Sequence, residues 1–370
     1  MVKVMQKRSP DIVLLLTIVL LSAFGILMVY SASNVIAFEK YNDSFYFFKR
    51  QFLFLIIGYI ILVLLLKIDI LKLKKYASFI FFFCLAMLLA VLIPGIGIVR
   101  GGARSWIGFG SFSIQPSEFM KLAMIILLSK YLSDNYKETT KLNVFILLIL
   151  FIGVIFFIIM LQPDFGTGLV LLMSCVILLY TSGSLNRYYV ILGGILVLGM
   201  AVLIISAPYR LQRIMAYLNP WEDPLGSGFQ GIQSLFAITP GGLFGHGFNK
   251  SMQKHFFLPE PQNDFIFAII IEEFGLFGGI IVLGLYFLII YRGIKISLSV
   301  DDLFLKFLSL GIVISLFVQV FINVGVVVGL LPVTGITLPL FSYGGSSLVL
   351  TMASLAVLLS ISQYQNYDFR

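Results

Sequence analysis

The chain has 370 residues, of which 60% are hydrophobic and 11% charged, and its formal net charge is +8. Soluble domains carry about 25% charged residues, so a soluble enzyme, a disordered chain and a coiled coil are excluded and an integral membrane protein is left. Cys84 and Cys175 lie inside apolar runs and cannot build a disulfide framework. The basic residues fall in short segments between apolar runs, not in the aromatic-interleaved stripe that tracks a nucleic acid.

A bilayer core of ~30 Å needs about 20 apolar residues per helix. Runs of that kind occur at about 12–31, 51–67, 76–93, 117–133, 143–161, 166–181, 188–206, 265–291, 303–331 and 344–363. They predict an all-α polytopic membrane protein of about ten transmembrane helices, forming a single membrane domain over 1–370. The runs do not alternate polar and apolar residues, which excludes an outer-membrane barrel. The first run follows Lys3, Lys7 and Arg8 and has no Ala-x-Ala-like exit, so it reads as a retained helix. Threading the chain with its start inside puts most Lys and Arg on the inner side, which predicts both termini in the cytoplasm. Residues 207–263 then form one long extracellular loop between the seventh and eighth helices. Trp221, Phe229, Leu235, Phe236, Phe244, Phe256 and Phe257 run through it, punctuated by Pro220, Pro224, Pro240, Pro259 and Pro261. That pattern predicts short amphipathic helices lying at the interface. The sequence has no internal repeat evident by eye, so an inverted-repeat transporter gains no support.

Residues able to do chemistry gather near the outer ends of the spans. Arg104 and Lys254 are candidate phosphate contacts. Glu118 and Lys121, three apart after Pro116, share a helix face and can pair, either bracing a site or neutralising each other. Asp164, in "QPDFGTG", suits either a plain Pro-Asp turn or a carboxylate aimed at a cavity. Arg210 and Arg213 share a face if helical, and fit either a pyrophosphate or lipid headgroups. His246 and His255 are the only histidines and do not make a metal signature. "GSGFQG" matches G-x-G-x-x-G but follows no predicted strand, so it is a chance match. Asp264, the last polar step before the eighth span, is either a helix cap or a general base facing the positive end of a helix. Glu272 and Glu273 lie ~12–14 Å deeper at 1.5 Å per residue. Carboxylates at that depth call for partners, and at least one is expected to be structural. Gly275 and Gly279 form a G-x-x-x-G step that favours close helix contact.

The stretches "GARSWIGFGSFSIQPSEFMKLA", "LQPDFGTGLVLL", "YRLQRIMAYLNPWEDPLGSGFQGIQSLFAITPGGLFGHGF", "LPEPQNDFIFAIIIEEFGLFGG" and "LPLFSYGGSSL" together resemble the SEDS family of bacterial membrane proteins. The wording of "NPWEDP" is most similar to its FtsW and SpoVE branch. The resemblance implies a peptidoglycan glycosyltransferase of the bacterial cytoplasmic membrane that polymerises lipid II, with ten spans and the long loop outside. It implies Asp264 as the essential carboxylate, with Glu118, Lys121 and Asp164 in support. Asn263 stands where the family often has Thr, a mild departure. Glu260 and Ser346, in the matching stretches, join Arg104, Arg210, Arg213 and Lys254 as substrate-binding candidates. The implied partners are a class B penicillin-binding transpeptidase and the division or sporulation machinery. In the implied reaction Asp264 takes a proton from the acceptor's GlcNAc 4-hydroxyl as it attacks C1 of the donor's MurNAc. The leaving pyrophosphate is steadied by arginines or by a divalent cation, Mg or Mn. The rivals are a flippase of the lipid-linked precursor, a scaffold without activity, and a RodA-type elongation polymerase.

Overall fold

The computed structural model describes residues 8–100, 102–109, 112–205, 211 and 215–365. Helices stand at every predicted span: α1 (Ile12–Tyr41), α2 (Tyr46–Lys67), α3 (Lys72–Ala90), α4 (Pro116–Asp134), α5 (Leu142–Met160), α6 (Phe165–Thr181) and α7 (Asn186–Ile205). After the long connection, which carries the short helix α8 (Phe229–Ile238), come α9 (Ile266–Ser299), α10 (Leu303–Val327) and α11 (Gly345–Ile361). Among the described residues, 7 helices are long and apolar enough to cross a membrane by length and composition: α1, α2, α3, α5, α9, α10 and α11 with its final turn. The acids and lysines of α4 and the 17-residue length of α6 set those two apart.

Polar side chains mark where helices start. Asp11 caps α1 through Leu14 N at 2.9 Å, and Asp302 caps α10 through Leu305 N at 3.0 Å. Each satisfies an amide that the first turn leaves unpaired. Pro116 opens α4, where its missing N–H costs nothing. The outer surface is apolar, as lipid-facing helices require: Phe79, Phe82 and Phe83 of α3 are exposed. α10 is the hub, packed against α4, α6, α8, α9 and α11.

The all-α expectation needs three corrections. A three-stranded antiparallel sheet, β1 (Gly97–Arg100), β2 (Ala103–Phe109) and β3 (Phe112–Ile114), fills the connection before α4. Its pairings include Ile98 with Trp106 and Ile107 with Ile114. β-Branched and aromatic residues between glycine turns favour strands. At Gly97 only glycine fits, because a Cβ would lie 2.1 Å from Val91 O.

The second correction concerns α9, which is broken at Gly275, where φ is 69° and ψ is −169°. The glycine serves the break, not a G-x-x-x-G helix contact, and a Cβ there would meet Leu243 backbone at 2.3 Å. The amides and carbonyls freed by the break find partners in the loop. Leu276 N donates to Gly242 O at 2.9 Å and Phe277 N to Leu243 O at 3.1 Å. In return His246 N donates to Glu272 O at 3.0 Å and Gly247 N to Glu273 O at 2.9 Å. Non-helical backbone inside a membrane protein survives only where it is enclosed and hydrogen-bonded in this way.

Third, residues 332–343 between α10 and α11 are non-helical yet mostly buried from Ile336 to Ser342. We call this the re-entrant segment. Side chains of neighbouring elements hold its backbone. Gln51 Nε2 donates to Ser342 O at 3.0 Å, Ser342 Oγ accepts from Leu338 N at 2.7 Å, and the Tyr286 hydroxyl donates to Pro339 O.

Candidate active site

Asp264 is half-buried in the turn that leads into α9. The helix begins at Ile266 and its N-cap residue is Phe265, so Asp264 stands outside the cap position. The loop around it is strapped down on three consecutive carbonyls. Gln262 O accepts from Tyr343 N at 2.8 Å, Asn263 O from Ser342 Oγ at 2.6 Å and Asp264 O from Asn323 Nδ2 at 2.8 Å. The carboxyl faces Gly335, where a Cβ would stand 3.6 Å from Asp264 Oδ2. Gly335 has φ 74°, a conformation that favours glycine. The backbone on either side of this carboxyl is thereby fixed in place.

Asp164 lies two residues before Gly166, which packs against the same segment. As the N-cap of α6 it accepts from Thr167 N at 3.3 Å. Its second oxygen accepts from Gln115 Nε2 and Ser117 Oγ, both at 2.8 Å. It is therefore both the turn residue and a link between α6 and the start of α4. Two residues on, Gly166 abuts Thr334 O, which a Cβ would approach to 2.8 Å. Ser346 ties in the start of α11: its Oγ accepts from Gln115 N at 3.2 Å and donates to Ser113 O at 3.3 Å. Ser346 is buried and holds elements together.

Glu118 and Lys121 form the ion pair that their spacing predicts, at 2.9 Å, with both side chains buried. Lys121 Nζ also donates to Gln319 Oε1 at 2.9 Å, and Gln319 Nε2 donates to Thr337 O at 3.1 Å. The pair thus leads back to the re-entrant segment. Beside it lies a cavity of about 40 Å³ lined by Glu118, Lys121, Ser315, Gln319, Thr351 and Ser354 together with apolar side chains. A space of that size and polarity can hold a few waters.

Of the basic candidates, Arg104 is exposed on β2, while Arg210 and Arg213 lie outside the described residues. Lys254 requires a correction, because it is only 2% exposed. Its ammonium donates to Asn249 O at 2.7 Å and to Asn249 Oδ1, and lies 3.6 Å from Glu273. Burial pushes its pKa below the ordinary lysine value, and the carboxylates of Glu273 and Glu272 oppose that. An ammonium so committed is not open to a pyrophosphate. Glu260 is exposed and accepts from Asn263 Nδ2 at 2.7 Å.

Glu272 and Glu273 are fully buried and both grip the loop. Glu272 accepts from Ser251 Oγ at 2.5 Å and Met252 N at 2.6 Å. Glu273 accepts from Ser31 Oγ of α1 at 2.6 Å and from Ser251 N at 3.3 Å. They anchor the long loop beside the Gly275 break. Sequence reasoning overlooked Gln115, Ser117, Gln319, Asn323, Thr337 and Ser342. The available signal was Gln319 and Asn323, two carboxamides one turn apart in an otherwise apolar span. Among the described residues, no three of His, Cys, Asp and Glu gather as a metal cage.

Fold and site together define a polytopic α-helical membrane protein whose polar groups converge on one re-entrant segment. The model of the FtsW, RodA and SpoVE family, described as cell cycle protein, matches residues 11–367, and the chain belongs to that family. It is 50% identical over 363 residues to stage V sporulation protein E of Bacillus subtilis, covering 98% of this chain and 99% of that protein. It is 41% identical over 362 residues to a Geobacter metallireducens protein named "Probable peptidoglycan glycosyltransferase FtsW", covering 95% of this chain and 94% of that protein. Among solved structures it resembles a chain from a study of polymerization and crosslinking by a peptidoglycan synthase complex. The TM-score there is 0.80 at 31% identity, over 96% of this chain and 99% of that one. The rod shape determining protein RodA of Thermus thermophilus gives a TM-score of 0.71 at 28% identity, over 96% and 98%.

Proposed function

We propose that the chain is a peptidoglycan glycosyltransferase that polymerises lipid II into glycan strands on the outer face of the bacterial cytoplasmic membrane. The observation that carries this reading is that Asp264 and, through Gln319, the Glu118–Lys121 pair meet one re-entrant segment, with Asp164 bonded beside it to the start of α4. The names of the relatives support it. In the proposed topology the chain crosses ten times, with both termini inside and residues 207–263 outside. The undecaprenyl tail stays in the bilayer while the disaccharide sits at the outer boundary beside Asp264. The Asp264 carboxylate removes the proton of the acceptor's GlcNAc 4-hydroxyl. The freed oxygen attacks C1 of the donor's MurNAc, and the lipid pyrophosphate leaves. One displacement turns an α-linked donor into a β-linked product, so no carboxylate nucleophile is needed. A positioned base contributes about 10²–10⁴-fold. Arg104, Arg210 and Arg213 are the proposed contacts of the pyrophosphate, since the guanidinium fork matches phosphate oxygens.

A flippase would need polar groups open along a full-depth path. Here the deepest carboxylates, Glu272 and Glu273, are consumed by the loop, which favours the enzyme. The higher identity to a sporulation protein than to RodA favours the division or sporulation branch over elongation. The proposed partner is a class B penicillin-binding transpeptidase, which would cross-link the emerging strand. The test is purified protein, with and without that partner, supplied with lipid II. Long glycan strands support the reading. Lipid II moved across vesicles with no strand formed would replace it with the flippase.

A further inference from the structure

One face of α10 carries the contacts that surround Asp264. Gln319 and Asn323 lie four residues apart and so stand one turn from each other on the same side of the helix. Both are buried, at 6% and 1% exposure. Asn323 uses its single carboxamide nitrogen twice, donating to Asp264 O at 2.8 Å and to Ile336 O at 2.7 Å. Its oxygen, also buried, has no hydrogen-bond partner among the described residues, so Asn323 acts as a donor alone. Gln319 accepts from Lys121 and donates to Thr337 O, the residue next to Ile336. Thr337 Oγ1 in turn meets Ser347 Oγ at 3.1 Å. A single ladder of two carboxamides therefore joins the loop of Asp264, the re-entrant segment and the buried Glu118–Lys121 pair.

We propose that Gln319 and Asn323 are positioning residues. They set the Asp264 carboxyl against Gly335 and couple its place to that of the Lys121–Glu118 pair, without touching substrate. The proposal rests on Asp264 being the base of lipid II polymerisation. A base displaced by about 1 Å loses on the order of 10²-fold in rate. Asn323→Asp tests the point at constant shape, because it sets a carboxylate against two carbonyl oxygens that now receive N–H groups. Gln319→Glu keeps the acceptor for Lys121 and removes the donor to Thr337.

The experiment uses the full chain with lipid II. It compares wild type, Asn323→Asp, Asn323→Leu, Asn323→Gln and Gln319→Glu with Asp264→Asn as the reference for a lost base. Steady-state rates, thermal unfolding and hydrogen exchange over residues 258–266 are read on each. Asn323→Asp, Asn323→Leu and Gln319→Glu are expected to lower kcat about tenfold to a hundredfold with KM nearly unchanged. Rates are compared well below each variant's unfolding temperature, because the buried carboxylate of Asn323→Asp lowers that temperature while Asn323→Gln keeps it near wild type. Exchange over 258–266 should quicken in both Asn323 variants, and Asn323→Gln, which keeps the donors, should recover part of the rate. Wild-type rates, a rise in KM at constant kcat, or a loss of rate that disappears well below the unfolding temperature would each overturn the proposal. If wild type itself makes no glycan, the functional reading has failed. The exchange measurement then decides the clip by itself: unchanged exchange in Asn323→Asp overturns it.

Discussion

Asp264, the proposed base, is fixed by groups well beyond its own side chain. Its carboxyl faces a glycine while the carbonyls of residues 262–264 are held from α10 and the re-entrant segment. Spacing alone left cap and base open; in the structure the cap position is taken by Phe265. Lys254 tests the same logic in reverse. Were it a phosphate ligand, Lys254→Met would raise KM in a stable protein. Its burial against Glu273 instead predicts that Lys254→Met leaves that buried carboxylate without its counter-charge. That costs on the order of 3 kcal/mol and is read as a lowered thermal unfolding temperature in detergent. At the start of α1, Arg292 pairs with Asp11, which also caps that helix and receives Arg292 through two nitrogens. Arg292→Gln is expected to destabilise the protein by about 3 kcal/mol, because Asp11 is left buried and unpaired. Chemical denaturation, monitored by tryptophan fluorescence, measures it.

At the scale of elements, helices were legible from length and hydropathy because each must satisfy its own backbone in lipid. The exceptions were not legible for the same reason: their backbone is satisfied by distant residues. The break of α9 depends on the 242–247 hairpin, some thirty residues earlier, and the re-entrant segment depends on Gln51, Tyr286, Gln319 and Asn323. No local pattern announces such partners. The Glu118–Lys121 pair was legible because i,i+3 spacing fixes it. The sheet before α4 was missed because its short strands lie in a connection between apolar runs. Gly275→Ala puts a Cβ against Leu243 backbone at 2.3 Å in a conformation reserved for glycine. Backbone strain alone costs about 1–3 kcal/mol. The variant is therefore expected to express as a poorly folded protein, seen as an early or broadened peak in size-exclusion chromatography.

At the scale of the whole molecule, the proposed function requires an asymmetric bundle with substrate chemistry at the outer end and short basic connections at the inner end. The two cysteines are buried, which makes single-cysteine labelling practicable. A cysteine at Phe257, exposed in the long loop, should react with a membrane-impermeant thiol reagent in intact cells. One at Tyr136, exposed between α4 and α5, should react only after the membrane is opened. The reverse pattern would put Asp264 on the wrong side for an extracellular sugar. The most direct measurement is the rate of lipid II polymerisation by purified Asp264→Asn beside wild type, both folded by thermal unfolding. The account predicts a loss of about 10²-fold or more. Glycan strands made by Asp264→Asn at the wild-type rate would contradict it.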